Sequence, residues 1–591
     1  MTNYKKILSV SLAFIVVIIG VGTILFLQGG NKKASGDTQK EEAPVTEDGQ
    51  SKNLIVLIGD GMGPAQITLS RLYGQKYLDQ SQLTLDDYLV GSNSTFAGDS
   101  SSAGQSGIVT DSAASGTAFA TGNKTYNGAI SVTNEEVAKP VASIIEAAKE
   151  QGKATGLIST ARITHATPAV YATHVRDRGN ENAIATQYVT SGVDVLLGGG
   201  ESYFTGDENG SVFGETKRED GKDLILEFEE NGYSIVHNKS EMENATGDRL
   251  VGLFSPSHIP YNIDRSDTDD IPTLSEQLEK ALSILEENDN GFVIMLEGGR
   301  IDHAGHANDV HSVALETLEF DEAFKTAIEY AEKDGETSVI ATADHETGGL
   351  SLGSRNTYDA YFDIIHNINA SSEVIGAELK DAEKPKEIED IVEKYTGIDD
   401  LTKEEVEWIM SGNLADGSPS SYEREGSFNA VISQRSLFGW TGHGHSGVDV
   451  GVYAYGPVSN LLKGFTDNTN IAKAGAQVLD LDLEAATAKL QERYLYPKYL
   501  ITRDDELLLP IESLAEELDF SVTKKDSEYI IEGEGQTITI GNELKEIEID
   551  NQTYTIQIDE DLLYVPLDLI NDITNQELKW DALSERIVSN K

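Results

Sequence analysis

The folded part of the chain opens on the run LIVLIGDGMG, residues 54–63. Large apolar residues in unbroken succession are typical of a strand buried on both faces, and the glycines around Asp60 let another group approach its carboxylate closely. By itself the motif fits a strand-to-helix turn with Asp60 as the helix cap equally well. The run therefore predicts a buried strand with an acidic residue at its carboxyl end.

Similar apolar runs alternate with helical patterns along the chain. Alternation of this kind predicts an α/β fold, a three-layer sandwich in which helices cover both faces of a mostly parallel central sheet. Ligands of such folds bind at the carboxyl ends of the strands. The apolar runs cover residues 54–58, 155–158, 292–296 and 338–341, and the clearest helical patterns cover residues 140–151 and 313–332.

Composition divides the chain further. Residues 28–52 contain almost no large apolar side chain and predict a flexible linker. Residues 53–495 carry the alternating pattern and predict one main domain. Within it, the segment of about 357–438 lacks the alternation and is rich in Asn, Ser, Glu and Lys. This segment predicts an insertion between two core elements.

Residues 500–591 contain an internal repeat centred on Pro510 and Pro566. Apolar residues follow the two prolines at matching spacings, so each unit predicts a strand, a short helix and a strand, and together a small α+β module. Around Pro566 and Trp580 the module resembles the copper amine oxidase N-terminal-like repeats of exported bacterial proteins. No His or Cys lies in it, so no copper is implied, and we expect it to contact the cell envelope.

The N-terminus carries an export signal. Lys5 and Lys6 precede the uncharged, mostly apolar run 7–27, which has the ~20 residues that a membrane-spanning helix requires. Because no Ala-x-Ala cleavage site follows, residues 1–27 predict an uncleaved membrane anchor with the folded part outside the cell. Cleavage would instead make the protein a secreted one.

Charge and cysteine content exclude several classes of protein. The 591 residues include 100 acidic and 45 basic ones, and the net charge of -55 repels nucleic acids. The chain has no cysteine, so disulfides and thiolate metal sites are excluded. A nucleic-acid-binding role is therefore not expected.

Two motifs place a serine and several ligand-type residues in distinctive positions. Ser112 lies in TDSAASGTA, residues 110–118, at the expected start of a helix of small residues, where the helix N-terminus favours an anion. In LEGGRIDHAGH, Glu297 follows an apolar run, and such a carboxylate is costly to bury unless it is paired or bound to a metal. Asp302 and His306 are four residues apart, which suits joint metal ligation from one side of a helical turn.

Three further motifs supply imidazole, carboxylate, hydroxyl and guanidinium groups. They are STARITHATP (159–168), which continues to Arg178, ATADHET (341–347) and HGHSG (443–447). Singly, each fits a helix cap, a surface charge or an exposed loop. Their recurrence at strand ends, in a chain with only 11 histidines, indicates a metal site. Imidazole with carboxylate suits zinc, whereas carboxylate with hydroxyl suits magnesium.

Taken in order, these motifs resemble those of the alkaline phosphatase family over about residues 53–490. The resemblance implies a metal-dependent phosphomonoesterase that uses two Zn²⁺ ions and one Mg²⁺ ion and forms a phosphoserine intermediate. The implied ligands of one zinc are Asp302, His306 and His445; those of the second are Asp60, Asp344 and His345, joined by Ser112; and those of magnesium are Asp60, Thr167 and Glu297.

The resemblance also implies roles in catalysis. Ser112 is the implied nucleophile, Arg178 the implied clamp for two phosphate oxygens, and Asp111 the group that orients Arg178. Some family members have Asp and Lys where this chain has His165 and His303, so His165 is left out of the magnesium ligands. Small phosphate monoesters are the implied substrates, and a homodimer is the implied assembly.

Two other functions are compatible with the sequence. The first is a phosphodiesterase or sulfatase, because the same two-metal scaffold supports these reactions. The Ser112 motif and Arg178 favour phosphate monoesters instead. A catalytically silent surface-binding protein, with the C-terminal repeats as its working part, would not require all of these ligand types together.

Overall fold

The computed structural model describes residues 49–98, 107–266, 268–503, 506–526, 528–534, 536–549, 552–559 and 561–589. The predicted anchor, residues 1–27, and all of the predicted linker up to residue 48 lie outside these ranges. None of the helices within the ranges is long and apolar enough to cross a membrane. Regular packing begins at Ser51, which is buried and donates its backbone N–H to the Val478 carbonyl at 2.8 Å.

A ten-stranded sheet forms the centre of the folded region. Its strands are β1 (Asn53–Gly59), β2 (Leu89–Ser94), β3 (Ala154–Arg162), β4 (Val195–Gly199), β5 (Ser234–Val236), β6 (Leu250–Leu253), β7 (Phe292–Gly298), β8 (Thr337–Ala343), β9 (Val450–Tyr455) and β10 (Gly464–Asp467). The order across the sheet is β10-β2-β9-β8-β1-β7-β3-β4-β6-β5. β9 is antiparallel to both of its neighbours and every other pairing is parallel, which confirms the predicted mostly parallel sheet.

Strand β1 shows why the sheet lies between two layers. Leu54, Val56 and Ile58 pack into one hydrophobic cluster and Ile55 and Leu57 into another, because successive side chains of a strand point to opposite faces. All of these side chains are fully buried. The predicted three-layer sandwich is therefore confirmed.

Helices supply the two outer layers. Two of them begin at capping boxes, Ser143 with Glu146 and Thr273 with Glu276, in which each side chain accepts a backbone N–H of the other residue. On the face of Leu54 the helices are Ser112–Thr121, Ile144–Glu150, Ala166–Ala169, Glu181–Ser191, Leu224–Glu230 and Thr469–Leu479, and on the face of Ile55 they are Pro64–Tyr77, Lys239–Asn244, Leu274–Leu285 and Val310–Asp334.

The segment predicted as an insertion folds into helices of its own. Their apolar side chains form a third cluster, which also contains Tyr73 and Val313 from helices of the main domain. The two ends of the segment meet, because strand Ser351–Leu352 pairs antiparallel with strand Phe438–Gly439. The helices are Phe362–His366, Ser372–Asp381, Pro385–Thr396, Lys403–Ser411 and Glu423–Ser436.

The C-terminal repeat forms two similar units. Strand Glu506–Pro510 of the first unit pairs antiparallel with strand Leu562–Pro566 of the second, and both units contribute to one hydrophobic cluster. The first unit continues with helix Ile511–Ala515 and strands Ser521–Lys525 and Glu528–Gly533, and the second with helix Leu567–Thr574 and strands Leu578–Asp581 and Arg586–Ser589. Strands Gln536–Gly541, Glu546–Ile549, Gln552–Thr555 and Gln557–Asp559 lie between the units.

The C-terminal repeat is joined to the main domain by a shared antiparallel sheet. Strand Tyr494–Pro497, which follows helix Leu483–Gln491, pairs with Arg586–Ser589 on one side and with Val137–Ala138 of the main domain on the other. Leu495 and Val137 belong to the hydrophobic cluster of the repeat. The two parts of the chain therefore share a core at this junction.

Candidate active site

Three carboxylates meet at the carboxyl ends of three adjacent strands. Asp60 follows β1, Asp344 follows β8, and Glu297 lies at the end of β7, in register with Ile58 of β1. The side chains of all three acids are fully buried. Parallel neighbouring strands end at the same edge of a sheet, so the strand order β8-β1-β7 brings the three acids together.

The environment of Asp60 favours a bound cation. Neither carboxylate oxygen of Asp60 has a hydrogen-bond partner in the part of the chain that the structure describes. Burial and the nearby carboxylates of Asp344, Asp302 and Glu297 raise the pKa of Asp60 well above its ordinary value. Buried carboxylates with no compensating partner are unfavourable, whereas a metal ion both pairs with their charges and satisfies their lone pairs.

One ligand group consists of Asp60, Asp344 and His345, whose ligand-type atoms lie within 4.8 Å of one another. His345 Nε2 is 3.0 Å from Asp344 Oδ2 and 3.6 Å from Asp60 Oδ1. Ser112 Oγ is 3.3 Å from the same imidazole nitrogen. The structure therefore brings together the four residues that the sequence analysis assigned to one zinc.

A second group is centred on Asp302. Its ligand-type atoms are within 4.8 Å of those of His345 and His445, and Asp302 Oδ2 is 3.2 Å from His306 Nε2. Burial opposes ionisation of Asp302, but the neighbouring His306, His445 and His345 hold its pKa well below the ordinary value. The predicted set of Asp302, His306 and His445 is assembled, and His345 lies beside it as well as in the first group.

The two imidazoles of this second group face each other in a way that favours a shared cation. His306 Nε2 and His445 Nε2 are 3.1 Å apart. His445 Nδ1 donates to the Thr110 carbonyl at 2.8 Å, and His306 Nδ1 donates to the His443 carbonyl. With Nδ1 of each ring bound to a carbonyl, Nε2 is the ring nitrogen that each imidazole can offer to a cation. Burial disfavours the charge of His306, but the adjacent Asp302 outweighs it and raises the pKa of His306 to about 9, so a bound metal ion would replace the Nε2 proton of this ring.

A third group contains Asp60, Glu297 and His165, again with ligand-type atoms within 4.8 Å of one another. Glu297 Oε2 accepts a hydrogen bond from Ser159, and burial raises the pKa of Glu297 to about 7. Glu297 Oε1 and Thr167 Oγ1 have no hydrogen-bond partner within the described ranges. This group provides the oxygen ligands that magnesium prefers.

His165 belongs to the third group by position, but its tautomer does not suit a metal ligand. Its Nε2 accepts an N–H of Arg178 Nη2 at 3.0 Å, so the neutral ring carries its proton on Nδ1. Burial and the charge of Arg178 hold the pKa of His165 well below the ordinary value. His165 therefore has no lone pair to offer a cation as long as it bonds to Arg178.

Arg178 and the first turn of helix Ser112–Thr121 form the anion-binding side of the site. Asp111 caps this helix, accepting the Ala114 N–H at 2.9 Å, and also accepts from Arg178 Nη1 at 3.0 Å. Burial opposes the charge of Arg178, but the adjacent Asp111 outweighs it and raises the pKa of the guanidinium. A helix N-terminus and an oriented guanidinium next to a buried serine suit a tetrahedral oxyanion.

One imidazole near the site, that of His258, was not predicted from the sequence. His258 follows β6, and its ring lies 5.7 Å from that of His165 and 4.2 Å from that of His303, measured between centroids. Arg300 Nη1 approaches His303 Nδ1 at 3.1 Å. No apolar run directly precedes His258, so its sequence context carried no signal; only the position of β6 in the sheet brings it here.

Comparisons with known proteins agree with this geometry. The chain matches the family model described as "Alkaline phosphatase" over residues 51–481. Alkaline phosphatase 3 of Bacillus subtilis (strain 168) is 37% identical over 467 residues, which cover 76% of this chain and 94% of the relative. The repressible alkaline phosphatase of Saccharomyces cerevisiae is 39% identical over 490 residues, which cover 75% of this chain and 84% of the relative.

Solved structures show the same similarity. The cold-active alkaline phosphatase of Shewanella sp. superposes with a TM-score of 0.62 at 35% identity, covering 72% of this chain and 99% of the other. For the Thermus thermophilus alkaline phosphatase the TM-score is 0.64 at 28% identity, with coverage of 78% and 100%. A histidine-to-aspartate mutant of the TAB5 alkaline phosphatase, described as having Mg bound in the M3 site, has a TM-score of 0.52 at 27% identity, with coverage of 73% and 99%.

Proposed function

The chain belongs to the alkaline phosphatase family, and we propose that it hydrolyses phosphate monoesters through a phosphoserine intermediate on Ser112, at a centre for two zinc ions and one magnesium ion. The observation that carries the proposal is the convergence of buried, unpartnered ligand atoms around one serine. Ser112 Oγ lies 3.3 Å from His345 Nε2, and the same nitrogen lies 3.6 Å from Asp60 Oδ1, which has no hydrogen-bond partner among the described residues. Such a set of atoms fits bound cations and a nucleophile at one point.

The donor types support a specific division of the metals. Asp302, His306 and His445 would hold one zinc, and Asp60, Asp344 and His345, with Ser112, the other, because imidazole and carboxylate together suit zinc. Thr167 and Glu297, sharing Asp60, would hold magnesium. When bound, the ions supply electrostatic stabilisation for the charge that develops on the oxygens around phosphorus.

The protein's own residues account for binding and for the covalent step. Arg178 would donate two parallel N–H groups to two phosphate oxygens, while Asp111 fixes the plane of the guanidinium. Ser112 Oγ then forms a bond to phosphorus as the bond to the leaving oxygen breaks, and the alcohol departs with a proton. Water attacks the phosphoserine, which releases inorganic phosphate and restores the serine hydroxyl.

A substrate comparison tests the proposed reaction. With the full chain loaded with zinc and magnesium, we expect p-nitrophenyl phosphate to be hydrolysed at least about 100-fold faster than bis(p-nitrophenyl) phosphate or p-nitrophenyl sulfate. Arg178 would bind two unesterified oxygens of a terminal phosphate, and a second ester group would displace one of them. A preference for the diester or the sulfate would assign the chain to the competing reactions of the same scaffold.

Replacing Arg178 by alanine should weaken the binding of every phosphate species. Two charge-assisted hydrogen bonds are lost, so we expect the Ki of inorganic phosphate and the KM of p-nitrophenyl phosphate to rise by about 10- to 100-fold. Arg178→Lys keeps the charge but cannot bind two oxygens at once, and should recover only part of the affinity. If the Ki of inorganic phosphate is unchanged in both variants, Arg178 does not bind phosphate.

His165→Asp should tighten magnesium binding. The substitution replaces an imidazole that presents a proton with a carboxylate that adds an oxygen ligand beside Glu297 and Asp60. We expect about a tenfold lower magnesium concentration at half-maximal activity, and more magnesium retained per chain after gel filtration. His258→Asn, which changes a neighbouring imidazole outside the carboxylate group, is the matched control. An unchanged magnesium titration for His165→Asp would contradict the prediction.

We also propose roles for the parts outside the catalytic centre. Residues 1–27 would export the protein and anchor it in the membrane, and the C-terminal repeat would contact the cell envelope as a copper amine oxidase N-terminal-like domain. A homodimer would be the assembly in solution. Membrane fractionation of the full chain and of residues 28–591, with light scattering of the latter, tests these points. Full-length protein recovered only in the medium would exclude the anchor.

A further inference from the structure

The C-terminal repeat and the strand Tyr494–Pro497 that pairs with it (residues 494–589, the C-terminal module) contact the loop that carries Arg178. We call residues 175–180 the arginine loop. Asn180 Nδ2 donates to the Leu583 carbonyl at 2.6 Å. The guanidinium of Arg176 donates to the Pro497 carbonyl and lies 3.8 Å from the Glu585 carboxylate. The module thus contacts the residues two positions before and two positions after Arg178.

The arginine loop has little regular structure to hold it in place. It contains one isolated bridge, between Val175 and Ile130, and no helix or longer strand. The backbone N–H of Arg178 donates to the Gly128 carbonyl at 2.8 Å. The position of a loop of this kind depends on the contacts that its neighbours make, and here the module supplies several of them.

The module also supports a segment of the main domain that contacts the arginine loop. Strand Tyr494–Pro497 pairs with Val137–Ala138, and Lys498 N–H donates to the Glu136 carbonyl at 3.0 Å. That segment follows Tyr126, whose hydroxyl donates to the Arg176 carbonyl at 3.0 Å, and Gly128, whose N–H donates to Asp111. Lys498 Nζ lies 5.0 Å from the centre of the Tyr126 ring.

We infer that the C-terminal module positions Arg178 for phosphate binding by holding the arginine loop at Arg176 and Asn180, directly and through Tyr126. The inference rests on the proposed role of Arg178. Two parallel hydrogen bonds to a phosphate need a fixed guanidinium, and a displacement of about 1 Å is enough to lose much of the benefit. The family match ends at residue 481, so this support is an addition to the matched domain.

Two substitutions in the full, metal-loaded chain test the inference while preserving local charge. Asn180→Ser removes the bond to Leu583 but keeps a residue that caps helix Glu181–Ser191, as Asn180 does through the Ala183 N–H. Arg176→Lys keeps the charge and removes the fork that reaches Pro497. The control is Asp561→Asn, which breaks the 2.7 Å ion pair with Lys524 inside the module and touches neither the arginine loop nor the segment around Val137.

We expect both loop variants to raise the Ki of inorganic phosphate and the KM of p-nitrophenyl phosphate together, by about three- to tenfold, with kcat within about twofold. The control should leave all three constants unchanged. A purely structural role for the contacts would instead lower Tm or the fraction of active enzyme and leave the Ki of phosphate as it was. That outcome would overturn the inference.

A double-mutant cycle separates this inference from the proposed function. In an Arg178→Ala background, Asn180→Ser should have no further effect on the Ki of phosphate, because the group that it positions is gone. An undiminished effect in that background would overturn the inference. If Arg178→Ala itself leaves the Ki unchanged, the proposed role of Arg178 has failed, whatever the loop variants do.

Discussion

Ser112→Ala is expected to lower kcat/KM for p-nitrophenyl phosphate by at least about 10⁴-fold. Ser112 Oγ is the hydroxyl that lies at the helix N-terminus, within 3.3 Å of the His345 imidazole, and alanine leaves nothing there to bond to phosphorus. Metal content should stay close to that of the wild type, because the carboxylates and imidazoles of the ligand groups remain. Rates with p-nitrophenyl phosphate and metal analysis of the same preparations check both statements.

Trapping the intermediate makes the Ser112 prediction more specific. After an acid quench during turnover, peptide mass spectrometry should find phosphate on Ser112 of the wild-type enzyme and on no residue of Ser112→Ala. Thr121→Ala is the matched control, since it removes a hydroxyl that donates to the Thr117 carbonyl at the far end of the same helix. A Ser112→Ala enzyme with a tenth of wild-type activity would refute the covalent route.

Asp60→Asn is expected to remove metal from two ligand groups at once, with a loss of kcat/KM of about 10³-fold or more. Asp60 is shared by the group with Asp344 and His345 and the group with His165 and Glu297. An amide offers one neutral oxygen in place of two charged ones, so each group loses its central acceptor. Metal analysis should show about one ion per chain in place of three.

The effect of Asp60→Asn on the unfolding temperature should depend on whether metal is present. Burial and the carboxylates of Asp344, Asp302 and Glu297 raise the pKa of Asp60, so its ionised form opposes folding when no cation is bound. In a chelator, Asp60→Asn should unfold at the same temperature as the wild type or higher. With zinc and magnesium it should unfold lower, because less binding energy is added to the folded state. The control Glu243→Gln, at an exposed carboxylate, should change neither of the two unfolding temperatures. An Asp60→Asn protein with full metal content would exclude the role of Asp60 as a shared ligand.

Much of the site followed from local sequence. An unbroken apolar run indicates a strand that is buried on both faces, and the residue after the run lies at the carboxyl end of that strand. This rule placed Asp60, Glu297 and Asp344 at one edge of the sheet. A run of small residues after Asp111 predicted the helix that begins at Ser112. These inferences needed only the two-residue period of strands and the capping preferences of helices.

Other features depended on which strands are neighbours. His258 lies near His165 and His303 because β6 follows β4 in the sheet and not because of any nearby motif. The proton on His165 Nδ1 is decided by the bond of its other nitrogen to Arg178, a contact that requires β3 and the arginine loop to be folded together.

The sequence by itself therefore determined the α/β class, the strands that carry the acids and the helix that presents Ser112, because these depend on periodicities over a few residues. Only the tertiary structure decided that His345 belongs to two ligand groups, that His165 bonds to Arg178, and that Leu583 contacts the loop of Arg178. Those relations join residues from 13 positions apart, for His165 and Arg178, to 403 positions apart, for Asn180 and Leu583. The spacing of residues along a chain does not specify how its strands, loops and modules pack.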